Sequence, residues 1–216
     1  MKKGKYLEQK ALRKFIKGKG LYVVEDVNEY AECMEKYIEG YATNPIFNYI
    51  CGGEFNKEIC AGIFKISVSA MGENSVIYAD SKEMNACAVW FPSGAYSVKL
   101  LDFFRCGGSD IIKLGGFSLV KRIIKYELYV SALKGKQTNH NDWYLFSYEN
   151  VANKDTDEML KLLISPAVEF AWKNQRAIYA ECAKPDQLAA CRKIGFHISD
   201  QKKIPGTDIT LSSIMV

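Results

Sequence analysis

The sequence predicts a mixed α/β domain spanning residues 1–216, and three observations carry that expectation. Short strand-like apolar runs and longer stretches at helical spacing both occur along the chain. No Pro/Ser-rich linker, internal repeat or low-complexity tract divides it. Hydrophobic residues make up 48% and charged residues 25% of its 216, the balance of a chain that buries one sizeable core.

Residues 1–20 hold eight basic side chains (Lys2, Lys3, Lys5, Lys10, Arg13, Lys14, Lys17 and Lys19) against Glu8 alone, although the whole chain is only +4. Such an arm could touch nucleic acid or anionic lipid. Leu7, Ala11, Phe15 and Ile16 fall at helical spacing, however, which favours a solvated helix with one docked face. After Gly18 and Gly20, residues 21–24 read as a short strand. Asp26 or Asn28 can cap a following helix with Tyr30, Met34, Tyr37 and Ile38 on one side, and Asn44-Pro45 is expected to end it. Residues 46–70 read as helical. Residues 75–80 and 86–91 are apolar runs either side of Lys82-Glu83-Met84-Asn85, a hairpin pattern. From about 95 to 134 an extra helical segment is interrupted at Gly107-Gly108 and Gly115-Gly116, and Leu119, Ile123, Ile124 and Leu128 are expected to form its core face.

The last third is more sharply patterned. Residues 143–148 are almost wholly apolar, as in a central strand covered on both faces. A polar loop precedes a helix over 157–174, in which Met159, Leu160, Leu163, Ile164, Ala167, Val168 and Ala171 recur at three and four residues. A strand over 177–182, a short helix over 186–194 closed by Gly195, and a hairpin turning at Pro205-Gly206 complete the chain.

Several function classes are excluded or disfavoured. No apolar run reaches the roughly 18–20 residues that span a bilayer. Lys and Arg break every apolar stretch near the N-terminus, so a signal peptide is not expected and the address reads as cytoplasmic. Seven cysteines at wide spacings, with no CxxC, fit reduced buried thiols. His140 and His197 are the only histidines, which leaves little from which to build a metal site. Neither has a neighbouring nucleophile motif.

The order of strand, loop, helix, strand, short helix, Gly-Phe and terminal hairpin resembles the GNAT superfamily of acyl-CoA-dependent N-acetyltransferases. The resemblance rests on Trp143-Tyr144-Leu145-Phe146, Leu162-Leu163-Ile164-Ser165-Pro166, Tyr179-Ala180-Glu181, Cys191-Arg192-Lys193-Ile194-Gly195-Phe196 and the Pro205-Gly206 turn. It is strongest over residues 140–216. Upstream, Tyr41–Pro45 and Ala88-Val89-Trp90-Phe91-Pro92 sit where the family has similar segments. The resemblance implies a GNAT-like mixed, mostly antiparallel sheet flanked by helices. It also implies acetyl-CoA or another acyl-CoA as cofactor, and direct transfer to a small-molecule amine in a ternary complex. Neither nucleic acid nor membrane is expected as a partner, and a homodimer is left open.

The resemblance places the acyl-CoA between the strands at 143–151 and 177–182, with its pyrophosphate at the opening of the next helix, where backbone N–H groups and the helix dipole attract anions. The matching stretch is Asn150, Val151, Asn153, Lys154, Asp155, Thr156, Asp157, Glu158, Met159, Leu160 and Lys161. It lacks the glycines of the family's loop, and Asp155 and Glu158 have the spacing of a reciprocal cap, in which the helix satisfies its own N–H groups. A scaffold that kept the cleft and lost the chemistry is therefore the alternative. For catalysis, Glu149 at the end of one strand and Glu181 on its neighbour are the candidate bases. Cys191, four residues before Gly195, stands where many relatives place an acidic Tyr.

Overall fold

The computed structural model describes residues 2–94, 100–139, 141–151 and 156–216. Seven strands form one sheet: β1 (Tyr22–Val24), β2 (Val76–Ala79), β3 (Ala86–Pro92), β4 (Trp143–Asn150), β5 (Ile178–Cys182), β6 (His197–Lys203) and β7 (Thr210–Met215). Their order is β1-β2-β3-β4-β5-β7-β6. Every pairing is antiparallel except that of β4 with β5. The expected mixed, mostly antiparallel sheet is present, with the apolar run at 143–148 at its centre and extended to Asn150.

Helices cover both faces. On one lie α1 (Lys2–Gly18), α7 (Thr156–Lys173) and α8 (Pro185–Lys193), which bury Leu12, Ile16, Leu163, Ala167 and Cys191 against Tyr78, Trp90, Trp143 and Ile178. On the other, α2 (Val27–Cys33), two 3-10 turns (Met34–Lys36 and Ile38–Tyr41) and α4 (Lys57–Met71) bury Tyr30, Met34, Tyr37, Cys60 and Phe64 against Val89, Phe91, Tyr144 and Tyr179. A third cluster joins α3 (Pro45–Cys51), α4 and α6 (Ser109–Gln137) to the β6–β7 hairpin through Ile50, Leu119, Val130 and Leu211. The sheet is anchored to α7 by the Tyr78 hydroxyl, which donates to the Leu163 carbonyl at 2.6 Å.

Three local expectations are corrected. Asn44-Pro45 opens a helix instead of ending one: the Asn44 side chain accepts from Ile46 N at 2.9 Å and Pro45 takes the first helical position. In α1 the docked face is Gln9, Leu12 and Ile16, with Leu7 and Ala11 exposed: Leu12 and Ile16 enter the core cluster, while Arg13 and Lys17 pair with Glu25. The helical segment expected over 95–134 is α5 (Leu100–Phe103), a π turn (Phe104–Gly108) and α6, with 95–99 outside the described residues. Gly107 at φ +105° and Gly116 at φ +67°, ψ −175° bend the chain, in conformations that a side chain resists. Leu119 and Ile123 face inward as expected, but Ile124 and Leu128 are 45% and 67% exposed. The inward positions are instead Tyr126, Glu127, Val130 and Lys134, since this face of α6 borders a cleft that mixes carboxyls with apolar and aromatic groups.

Candidate active site

The parallel neighbours β4 and β5 pair at only two places, Trp143 with Ile178 and Tyr144 with Tyr179. Beyond that point each strand continues without the other. The opening is a cleft of about 600 Å³ walled by α3, α4, α6, α8 and the 3-10 turn at Ile38–Tyr41. Near the fork, β4 also carries a bulge: Leu145 pairs with Trp90 and Ser147 with Val89, so Phe146 is an extra residue with no partner in the β3 ladder. The fork and the bulge place backbone polar groups at the cleft floor.

Two carboxyls lie on that floor, and their surroundings differ. Glu149 is 4% exposed. Burial pushes its carboxyl up to about 8, while contacts from the Tyr41 and Ser147 hydroxyls pull in the opposite direction. The Tyr41 hydroxyl donates to Glu149 Oε1. Nothing cationic among the described residues offsets the Glu149 charge. Aromatic rings surround this end. Tyr41 lies 4.9 Å from both Phe47 and Phe64, Phe47 stacks on Phe64 at 5.4 Å, and Phe64 meets Phe146 edge-on at 5.8 Å. All four rings line the cleft.

Glu181 stands two residues beyond the last β4–β5 pair, on the same face as Tyr179, as strand alternation requires. Burial raises its pKa, and hydrogen bonds from Tyr144 and Tyr179 together with the charge of Lys134 pull it back. Its Oε1 is buried without a hydrogen-bond partner among the described residues. Lys134 comes from α6, is 5% exposed and lies 4.8 Å above the Tyr144 ring. Burial lowers its pKa, against the opposing charges of Glu181 and Glu127. The Tyr179 hydroxyl lies 3.1 Å from Ser213 Oγ, which joins β7 to the same network.

Cys191 borders the cleft from α8 but belongs to the apolar cluster under the sheet. Burial, with a smaller contribution from Cys182, pushes its thiol up to about 12. A thiol so far above its ordinary value near 8.5 is a weak proton donor to a leaving thiolate.

At the mouth of the cleft, Asn150, Val151, Asp157 and Leu160 all line the wall. Met159 is half-buried, and Glu158 and Lys161 are exposed. Asn153, Lys154 and Asp155 lie outside the described residues, as does His140; Thr156 is the first residue of α7. Lys193 of α8 contacts Asp157, so one of the carboxylates opening α7 is matched by a cation. The geometry therefore brings Glu149 and Glu181 into one cleft and leaves Cys191 in its apolar wall. Sequence reasoning missed Tyr41, Phe47, Phe64, Glu127, Lys134 and Lys193. Each comes from an element distant in the chain, and only the run of aromatics over 41–64 hints at a lined pocket.

No family model and no curated sequence matches the chain. Solved structures do match its architecture. The C-terminal condensation domain of Ebony, in complex with β-alanyl-dopamine, superposes with a TM-score of 0.57 at 8% identity, over 91% of this chain and 98% of that one. A histone-acetyltransferase-related acetyltransferase from Corynebacterium glutamicum gives 0.54 at 12% identity, over 90% and 94%. An agmatine N-acetyltransferase gives 0.50 at 11% identity, over 91% and 98%.

Proposed function

From a chain that has the GNAT fold, we propose an acyl-CoA-dependent N-acyltransferase that moves an acyl group directly to a small amine. The observation that carries the reading is the fork between β4 and β5, opening onto one buried and one half-buried carboxyl in an aromatic-walled cleft. On this reading the slot receives the pantetheine arm, and the start of α7, with Asn150, Val151 and Leu160 in the cleft wall and Lys193 paired to Asp157 nearby, holds the diphosphate end. Acetyl-CoA, when bound, supplies an activated thioester carbonyl.

The chain's own residues do the rest. A protonated amine is not a nucleophile, so a base must remove its proton before or during attack. Glu181, beside the fork, has a pKa raised toward neutrality and an acceptor oxygen with no partner, which suits that task. Lys134 and the tyrosine hydroxyls keep its carboxyl oriented and ionisable. The bulge at Phe146 offers a backbone amide outside the β3 ladder for the developing oxyanion. Cys191 takes no part. Water entering the open end protonates the departing thiolate.

Thiol release from acetyl-CoA across a panel of primary amines tests this reading. Turnover is expected, with Glu181→Gln losing about 100-fold or more in kcat/KM, as for removal of a general base. No calorimetric heat with acetyl-CoA or longer acyl-CoAs would overturn it. The rival reading, a binding module that kept the cleft without the chemistry, is favoured by the acidic opening of α7 at Asp157 and Glu158. Turnover with any amine removes that rival.

A further inference from the structure

Glu149 poses a problem that the transfer chemistry does not answer. It is a fully buried carboxyl, its only described direct partners are hydroxyls, and no cation among the described residues compensates it. A buried, uncompensated carboxylate is costly, and proteins retain one where a ligand or a proton completes it. Glu181, by contrast, has Lys134. The rings around Glu149 sharpen the point. Tyr41, Phe47, Phe64 and Phe146 pack ring against ring and line the same cleft, and beyond the Tyr41 and Ser147 hydroxyls they bring no charge to the carboxylate, whereas their faces suit an ammonium. The lining of the cleft carries Glu127, Glu149, Asp157, Glu181 and Asp186 against Lys184 as the one basic residue among those described.

The two carboxyls are also set apart along the fork. Counting from the Tyr144–Tyr179 pair, with the bulge at Phe146 absorbing one step, Glu149 lies about four strand positions out and Glu181 two. At ~3.3 Å per residue and at least one strand spacing across, their Cα atoms are about 8 Å or more apart, a span that an extended diamine of about five carbons or more can bridge once its contacts to the two carboxyls are added. Phe146, Tyr144 and Tyr126 line the same cleft and would suit an alkyl spacer.

We infer that Glu149 and its aromatic surround form a cation subsite, and that the acceptor is a diamine: one ammonium rests on Glu149 while the other nitrogen reacts beside Glu181. This rests on the acyltransferase reading for the reacting end only. The subsite itself is a binding claim. Its occupant replaces the Tyr41 hydroxyl as the partner of the carboxylate, or shares it.

The test compares 1,5-diaminopentane with n-pentylamine on the intact protein, by thiol release from acetyl-CoA and by calorimetry of each amine alone. The diamine is expected to exceed the monoamine by about 50-fold in kcat/KM, the worth of one charge-assisted contact in a buried site. Glu149→Gln is expected to bring that ratio to within about threefold, by raising KM for the diamine. A ratio near one in the wild-type protein overturns the proposal without any variant. So does a Glu149→Gln protein that loses kcat equally for both amines while still binding the diamine, since Glu149 would then act in the chemistry. Diamine binding that depends on Glu149, with no turnover of either amine, leaves the subsite standing and removes the transferase. Turnover of the monoamine with no affinity for the diamine does the reverse.

Discussion

Replacing Glu149 by glutamine should stabilise the fold, by an amount that grows with pH. The carboxyl is raised in the folded chain from 4.5 to about 8, chiefly by burial. A raised acid favours folding in its protonated form, so this group costs nothing below pH 4.5 and progressively more as pH climbs through its folded value. At ~1.36 kcal/mol for each pH unit between the unfolded and folded values, the cost is about 3 kcal/mol at pH 7 and approaches about 5 kcal/mol above pH 8. Glutamine is neutral throughout and of similar shape, so it keeps a contact with Tyr41 while removing the titration. Glu181 and every other acid titrate in both proteins and cancel from the difference. Urea unfolding of the two proteins at pH 5, 6, 7 and 8 reads that difference directly. It should widen by roughly 1.4 kcal/mol per pH unit. A saturating diamine at pH 7 should narrow it again, because the cation compensates the wild-type carboxylate and has little hold on the amide. A gap that stays constant from pH 5 to 8 would refute the reasoning, since it would mean that Glu149 is solvated or already paired.

Other perturbations probe the scaffold. Ile16→Ala removes a fully buried side chain that pins α1 to the sheet, and should lower unfolding stability by about 2–5 kcal/mol in the same assay. Gly116→Ala forces a side chain into φ +67°, ψ −175° and should cost about 1–3 kcal/mol, with the melting temperature as readout. Cys191→Ala should leave kcat within about twofold, because a thiol held that far above its ordinary value contributes little as an acid. A drop of a hundredfold would restore Cys191 to the chemistry. Lys193→Ala breaks only an exposed pair with Asp157 and should change stability by under ~1 kcal/mol, whereas the KM for acetyl-CoA should rise.

The parts of the fold that were legible in the sequence share one property: their burial follows from a single local period. The strand at 143–150 is covered on both faces and reads as an apolar run. The stripe of α7 (Leu160, Leu163, Ile164, Ala167, Ala171) packs against one apolar sheet face and reads as a heptad-like pattern. The misread elements break that link between polarity and burial. On α6, Lys134 and Glu127 turn inward while Leu128 turns out, because the inner face borders a cleft that holds carboxyls as well as an apolar cluster. On α1, Gln9 is buried and Leu7 exposed: the Gln9 side-chain amide donates to the Asn74 carbonyl at 3.2 Å, so a polar residue sits on the docked face. At the site, Glu149 and Glu181 could be named from strand position once the family resemblance had placed an acyl-CoA between those strands. What separates them could not, because Lys134 is brought to Glu181 from 47 positions away and the rings around Glu149 come from α3, α4 and the turn at Ile38–Tyr41.

That separation assigns the two ends of the site to different parts of the chain. The β4–α7–β5 unit supplies the fork, the bulge and the helix opening, which are backbone features. The N-terminal helices and α6 supply side chains: the aromatic surround of Glu149 on one side, and Lys134 with Glu127 on the other. On the proposed reading, backbone groups hold the acyl donor and side chains choose the acceptor. Substitutions at Tyr41, Phe47 or Phe64 should therefore change which amine is used while leaving the affinity for the acyl donor alone, and substitutions at Lys193 should do the opposite. A Phe47→Ala protein that lost acetyl-CoA affinity and amine preference together would show that the two ends are not separable, and the division of labour between Glu149 and Glu181 would fall with it.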